Sequence, residues 1–165
     1  MRRKEREMPE AFALEVVDKC MYATLATAGT DGQPYCVPVS VVRDGRVVYI
    51  HCAMQGRKTD NMRDSPKVCI SCVGDVHLVE DKFTVEYESA VIFGRAEEVT
   101  ADEEKTQALK LICERFAPSQ MQAFDQAVQR SLHRTAVWKV QATEVTGKRK
   151  KYDHNGEEMK FGRME

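Results

Sequence analysis

The sequence predicts a single, mainly β domain in which six antiparallel strands form a closed or partly split barrel, with a few helices. Three observations favour this fold class. Short segments alternate between apolar and polar side chains, turns rich in Gly and Asp separate them, and the helical segments are few and short. The 165 residues can bury one hydrophobic core but are rarely enough for two.

The predicted elements follow one another in a simple order. A helix begins at about Pro9, whose fixed φ suits a first turn, and ends at Lys19. Asp44-Gly45 is a strong hairpin signal between the second and third strands. A charged helix after the third strand stops before Pro66, because the residue preceding a proline disfavours helical geometry. The six strands are expected at residues 22–27, 35–42, 47–52, 67–73, 83–99 and 135–145.

A pair of helices is predicted before the last strand. Capping boxes at residues 100–103 and 119–122 indicate their starts, since such side chains can satisfy the first amides of a helix. Beyond Gly147 the sequence becomes polar and charged. We therefore expect one domain over residues 1–150 and a frayed, solvated, polar tail over residues 151–165.

The composition argues against several classes of function. Lys and Arg number 25 and Asp and Glu 26, so no overall positive charge favours nucleic acid or an anionic membrane. No apolar run approaches the ~20 residues of a membrane-spanning helix, and acidic residues follow the basic N-terminus where a signal peptide would be apolar. The six cysteines lie in apolar segments, as reduced core thiols do. These features predict a cytoplasmic protein.

Cys69 and Cys72 have the spacing of a redox or zinc motif. In a strand, however, side chains three residues apart point to opposite faces, and a redox pair gains its low pKa at a helix N-terminus. No second pair accompanies them, so we expect no metal site. The sequence also lacks the glycine-rich and nucleophile motifs of dinucleotide-binding folds, NTPases and α/β-hydrolases.

Pro38 and the segment around Gly56 are the features most typical of a ligand site. Pro38 cannot donate to a sheet ladder, so it marks either a strand edge that faces a flat ligand or an ordinary edge strand. Gly56 permits close approach of a ligand to the backbone. Arg57 and Lys58 then begin a helix whose amides favour a phosphate, unless they simply belong to a solvated helix face.

His51 and Trp138 each allow both a ligand-site and a structural interpretation. His51 either lines this cavity, where an imidazole that titrates near neutrality would hydrogen-bond or protonate a substrate, or it is a satisfied barrel histidine. Trp138 either stacks on a flat ligand across a dimer interface or belongs to the core.

The hexapeptide Gly56-Arg57-Lys58-Thr59-Asp60-Asn61 stands in a longer series of recognisable motifs. The others occupy residues 22–27, 31–35, 37–39, 49–51, 85–91, 93–96 and 145–148. Together they resemble the pyridoxamine phosphate oxidase-like family of split barrels that bind flavin mononucleotide (FMN), and in particular its nitroimidazole-resistance (Nim-like) branch. The resemblance extends over residues 8–150.

This resemblance implies a six-stranded split barrel, a homodimer with two equivalent FMN molecules at its interface, and a phosphate held by Arg57 and Lys58. In the resistance proteins, reduced flavin passes electrons to the nitro group of a drug, and His51 matches the catalytic histidine on the substrate side. A nicotinamide or another electron donor would dock transiently. The remaining cofactor contacts implied by the resemblance are Pro38, Val39, Ser40, His51, Cys52 and Ala53 along the ring and ribityl chain, with Asn61 and Ser89 as additions.

Two departures from the family pattern leave the substrate open, because Ser40 replaces an expected asparagine and Cys52 a smaller or hydroxyl residue. A non-catalytic flavin- or haem-binding protein is the first alternative, with His51 or His77 as an iron ligand. True pyridoxamine phosphate oxidation is the second. It needs a further cationic site for the substrate phosphate, and the available residues are Arg95, Arg130 and Arg134.

Overall fold

The helices and strands follow the predicted order along the chain. The computed structural model describes residues 2–162. The α-helices are α1 (Glu10–Lys19), α2 (Arg57–Asp64), α3 (Asp102–Phe116) and α4 (Phe124–Ser131). The strands are β1 (Glu7–Met8), β2 (Ala23–Ala28), β3 (Pro34–Val39), β4 (Val42–Asp44), β5 (Val47–Ala53), β6 (Lys67–Val79), β7 (Thr84–Glu98) and β8 (Thr135–Lys150).

These strands form one antiparallel sheet. Hydrogen-bonded neighbours follow the order β3-β2-β6-β7-β8-β5-β4, and β1 pairs with β8, Glu7 lying opposite Lys148. The two ends of this order, β3 and β4, are joined in the chain by Ser40 and Val41 alone. The twisted sheet therefore curls until its two edges come together without pairing. The predicted split barrel is confirmed, and α3 and α4 form the predicted helical pair.

The predicted number of six strands is wrong over the described residues, which contain eight. Residues 35–42 are predicted as one strand, but they form two strands that run in the same direction and pair on different sides. β3 pairs with β2, whereas β4 pairs with β5. The additional β1 has only two residues, too few for an alternating pattern to reveal.

The interior of the barrel is filled by aliphatic side chains from every long strand. Leu25, Ile50, Ile70 and Ile92 are completely buried there, and burying each such side chain stabilises the fold by about 1.5–3 kcal/mol. α1 closes one end of the barrel with Ala13, Val16 and Val17. It lies directly on β8, since a Cβ atom at Gly147 would come within 3.1 Å of the Cβ of Ala13.

Two predictions about local structure are wrong. No side chain caps α3, because Ala101 occupies the N-cap position, and residues 118–123 form a 3-10 turn without a side-chain cap. Residues 151–162 are not frayed: both guanidinium contacts of Arg6 go to Glu158, at 2.6 and 2.9 Å, and the amide of Phe161 donates to the carbonyl of Glu5. Residues 163–165 lie outside the described part of the chain.

Within residues 2–162, no helix is both long enough and apolar enough to cross a membrane.

Candidate functional site

The split of the barrel leaves two strand edges unpaired beside each other. The β4–β5 ladder ends where Val42 lies opposite Tyr49. Pro38 has no amide hydrogen to offer a neighbouring strand, β3 ends at Val39, and β3 and β5 are not paired. Continuing the same register past Val41 and Ile50 would place three unbonded pairs opposite one another: Ser40 with His51, Val39 with Cys52 and Pro38 with Ala53.

These six residues are the ones predicted to lie along the flavin ring and ribityl chain, and the fold places them along the two strand edges that border the split. Adjacent side chains of a strand alternate in direction. Pro38, His51 and Ala53 are accordingly exposed, whereas Val39 is buried in the core. A flat ligand inserted here would therefore meet unpaired backbone groups on both edges, with small or polar side chains beside it.

The N-terminus of α2 lies just beyond the end of β5. Gly56 occupies the N-cap position with φ of 140°, no side chain caps the helix, and no other atom lies within 4 Å of the position that a Cβ would take. Amides at such a helix start attract anions, which the positive end of the dipole also favours. Arg57 and Lys58 add two positive charges, so the residues present fit a phosphate group.

Arg57 also connects α2 to β3. Its guanidinium carbon lies 5.2 Å from the centre of the Tyr35 ring, within the range of a cation–π contact. Sequence reasoning missed Tyr35, because nothing in the local pattern shows that a side chain on β3 reaches a helix that starts after β5.

The charge of Lys58 acts on both neighbouring side chains of β5. Although the His51 side chain reaches solvent, desolvation by the protein packed around it, and then the charge of Lys58, lower its pKa below the usual value of 6.5. The imidazole is therefore neutral near pH 7, with one nitrogen able to donate and the other to accept. Burial raises the pKa of the Cys52 thiol, and Glu98 raises it further against the opposing charges of Lys58 and Arg63. Cys52 is accordingly a neutral thiol.

Buried polar contacts hold α2 in place. The side-chain amide of Asn61 donates to Oγ1 of Thr27 at 2.9 Å, and Thr59 donates from its hydroxyl to the carbonyl of Gly56 at 2.7 Å. At the other end of the helix, Arg63 donates to the carboxylate of Glu98 at 3.0 Å. Asn61, predicted as a cofactor contact, uses its amide to position the helix, and Thr27 is a partner that the sequence did not indicate.

Trp138 and Ser89, both predicted to contact the cofactor, lie away from the split within the single chain. Trp138 is only 2% exposed and belongs to the core, where the guanidinium of Arg63 lies 5.7 Å from its ring. The predicted stacking of Trp138 on a ligand is therefore wrong for this chain, and the core alternative is correct. Ser89 pairs with Val73, whereas Ala26, next to the α2 contact at Thr27, pairs with Cys69. The two positions on β6, Cys69 and Val73, are four residues apart, about 13 Å along the strand.

Apart from His51, the residues considered for the alternative functions lie on separate elements. His77 is exposed on β6, opposite Glu86, and β6 does not pair with the strand that carries His51. Arg95 is exposed on β7, Arg130 on α4, and Arg134 just before β8. Among residues 2–162, no group of three or more His, Cys, Asp and Glu side chains could hold a metal ion.

Comparison with known proteins agrees with this geometry. Residues 9–149 match the family described as pyridoxamine 5'-phosphate oxidase. The chain belongs to this flavin-binding family. Among curated protein sequences, none matches it significantly.

Several solved structures share the fold. A candidate 5-nitroimidazole antibiotic resistance protein from Bacteroides thetaiotaomicron is 25% identical, with a TM-score of 0.72 over 86% of this chain and 85% of that one. An FAD-binding protein from Mesorhizobium loti is 20% identical (TM-score 0.64; 87% and 96% covered). An FAD- and haem-binding protein from Mycobacterium smegmatis is 18% identical (TM-score 0.75; 98% and 77% covered).

Proposed function

We propose that this protein is an FMN-dependent oxidoreductase that reduces a nitroaromatic or related small substrate. The observation that carries the proposal is the uncapped start of α2, with Arg57 and Lys58, at the open end of two unpaired strand edges. A phosphate monoester bears about two negative charges near neutral pH, which these two side chains and the helix dipole would balance. FMN ends in such a group.

Each part of the site has a separate task in this proposal. Arg57 and Lys58 bind the phosphate, and Tyr35 holds the Arg57 guanidinium in place. The strand edges orient the ring through their backbone groups, and the neutral imidazole of His51 donates a hydrogen bond or a proton to the substrate. The bound flavin supplies the electron transfer. We expect a cytoplasmic nicotinamide to be the electron donor.

The outer face of the sheet favours a homodimer as the functional unit. Val73 on β6 and Phe93 on β7 are 49% and 46% exposed, and they share this face with Cys69, Ser71 and Val91. Contiguous apolar surfaces of this kind usually mark interaction sites. A second copy seated on the face would also bring Ser89, which one chain keeps away from α2, to the flavin of its partner.

The first experiment is an absorption spectrum of the purified protein, followed by chromatographic identification of the extracted cofactor. We expect flavin bands and FMN as the released compound. Without oxygen, a nicotinamide reductant should bleach these bands and a nitroimidazole should restore them. A haem Soret band, or flavin that is never reduced, would instead support the non-catalytic alternative. Oxygen-dependent aldehyde formation from pyridoxamine phosphate would support the oxidase.

A pair of double variants tests the phosphate site. Each hydrogen bond to a charged group contributes about 1.5–3 kcal/mol, so R57A/K58A should raise the Kd for FMN by at least a hundredfold. The matched control is K110A/R130A, which also removes two positive charges, but from exposed positions on α3 and α4. Equal Kd values for the two double variants would contradict the assigned phosphate site.

A further inference from the structure

Cys72 has a thiol neighbour that the sequence spacing does not reveal. Cys72 is fully buried inside the barrel, whereas Cys69 of the same strand points to the outer face, as expected for positions three apart. Cys20 follows α1 directly and lies three residues before Ala23, the residue that pairs with Cys72. The Cys20 and Cys72 side chains interact within the same core cluster, where Sγ of Cys20 also donates to the carbonyl oxygen of Val17 at 3.3 Å.

A guanidinium group lies against this pair. Nη2 of Arg115 donates to the carbonyl oxygen of Cys20 at 2.5 Å and lies 3.9 Å from its Sγ, while Nη1 donates to the carbonyl of Val41 at 2.6 Å. These two backbone bonds fix the positive charge beside one of the two sulfur atoms. Arg115 belongs to α3, so three distant parts of the chain meet at this point.

The two thiols consequently differ in acidity. The interaction with Cys72, and then Arg115, lower the pKa of Cys20 against the opposing effect of burial. The hydrogen bond with Cys20, and then burial, raise the pKa of Cys72. Cys20 is therefore the more acidic thiol of the pair and Cys72 the less acidic one, which is the order expected of an attacking and a resolving cysteine.

Cys20 also borders a cavity. The cavity has a volume of about 410 Å³ and lies between the end of α1 and β6, with the exposed side chains of Met21 and Tyr22 at its wall. A space of this size admits a molecule as small as hydrogen peroxide, because a single water needs only about 30 Å³.

We propose that Cys20 and Cys72 are a peroxide-reactive dithiol that closes reversibly to a disulfide. The Cys20 thiolate attacks one oxygen of hydrogen peroxide, the O–O bond breaks, and the departing hydroxide takes a proton from solvent to become water. Cys72 then attacks the sulfenic acid on Cys20, so that the S–S bond forms and a second water leaves. Two thiols are oxidised by two electrons, the peroxide is reduced to two waters, and a dithiol reductant restores the pair.

The test uses the native, fully reduced protein. It is treated with hydrogen peroxide, its remaining thiols are alkylated, and tryptic peptides are analysed by mass spectrometry. Trypsin leaves Cys20 with Cys36 in residues 20–43 and Cys69 with Cys72 in residues 68–82, so variants must assign the bond. We expect a cross-link between these peptides in the wild type, C36A and C69A, and its loss in C20A and C72A. In C72A, dimedone should trap a sulfenic acid on Cys20.

Several outcomes would overturn the proposal. The cross-link could persist in C72A and vanish in C69A, it could form only after the protein is denatured, or peroxide could oxidise Cys36 while Cys20 and Cys72 remain alkylatable. If a variant does not fold, fragmentation of the wild-type cross-linked peptides locates the bond directly. A bond between any other two cysteines would then contradict the assignment.

Discussion

Asn61 uses its side-chain amide inside the protein. Its partner is the hydroxyl of Thr27, and the two residues are 7% and 5% exposed. Water therefore cannot replace either member of the pair, and removing the Thr27 hydroxyl leaves the Asn61 amide without this partner. Such a loss costs about 1–3 kcal/mol. The contact fixes α2 against β2, and with it the position of Arg57.

We predict that T27V lowers the free energy of unfolding by about 1–3 kcal/mol and weakens flavin binding, although Thr27 lies beneath the site. Valine keeps the shape of threonine but leaves the Asn61 amide unpaired. Urea unfolding and flavin titration check the two effects. T30V, in an exposed turn, is the control. Unchanged stability of T27V would show that this contact does not hold α2.

For Trp138, in contrast to Thr27, we expect a substitution to leave flavin binding unchanged. Its ring fills the core and its indole nitrogen is buried without a hydrogen-bond partner. W138F should lower the free energy of unfolding by about 1–3 kcal/mol, as core substitutions usually do, and leave the Kd for flavin unchanged. A folded W138F protein with tenfold weaker flavin binding would show that the ring contacts the ligand after all.

The site residues divide according to what a sequence motif can reveal. The unpaired edges and the basic start of α2 follow from Pro38, Gly56 and the charges after it, because local backbone rules produce them. Asn61 lies in the motif of residues 56–61 and Trp138 in the last predicted strand, but neither pattern says whether a side chain faces a ligand or the protein. That depends on contacts with Thr27 and Arg63, which are distant in the sequence.

At the level of elements, the ion pair between Arg6 and Glu158 holds the last described residues of the chain against its beginning. The hydrogen bond from Arg6, and then its charge, lower the pKa of Glu158 from 4.5 to about 2. The folded protein thus binds this proton less readily than the unfolded chain does. The stabilisation is present above about pH 4.5 and is lost as the pH falls toward 2. A polar composition suggested a frayed tail because it cannot reveal a partner 152 residues away.

We therefore predict that E158Q lowers the Tm at pH 7, and that its difference from the wild type shrinks steadily below pH 4.5. Thermal unfolding followed by circular dichroism at a series of pH values checks this. E157Q is a matched control, because the neighbouring carboxylate is exposed. A Tm difference that stays constant down to pH 2 would rule out the Arg6–Glu158 pair as its origin.

At the level of the whole molecule, the alternating strands made the barrel predictable, since each strand has one face toward a common core. The number of strands was not, because residues 35–42 continue in one direction and only their pairing partners change. Which strands pair is decided by the whole folded sheet, so the alternation of apolar and polar side chains does not reveal it. The same reasoning applies to the outer face, whose apolar side chains suggest a partner that the chain alone does not contain.

The proposed dimer gives a prediction at this scale. F93E should convert a dimer into a monomer, because a carboxylate on a buried interface is costly without a partner. The fold should survive, since Phe93 is half-exposed in the single chain. Light scattering measures the mass. F116E is the control, because Phe116 lies on α3, which packs against β4, β5 and β8, and not on the β6–β7 face proposed as the interface. A dimeric F93E protein would locate the interface elsewhere.

The two-residue link of Ser40 and Val41 also sets the shape of the opening in the barrel wall. Only three peptide links join Val39 to Val42, so their Cα atoms can never be more than about 11 Å apart. The two edges thus form a wedge with a tethered apex at the first β4–β5 pair and a mouth beside α2. We expect a planar molecule to slide in edgewise until its ring reaches the apex, with its charged end held at the mouth. We expect a bulky, non-planar molecule of the same charge to stop at the mouth, so that this protein selects its ligands by thickness.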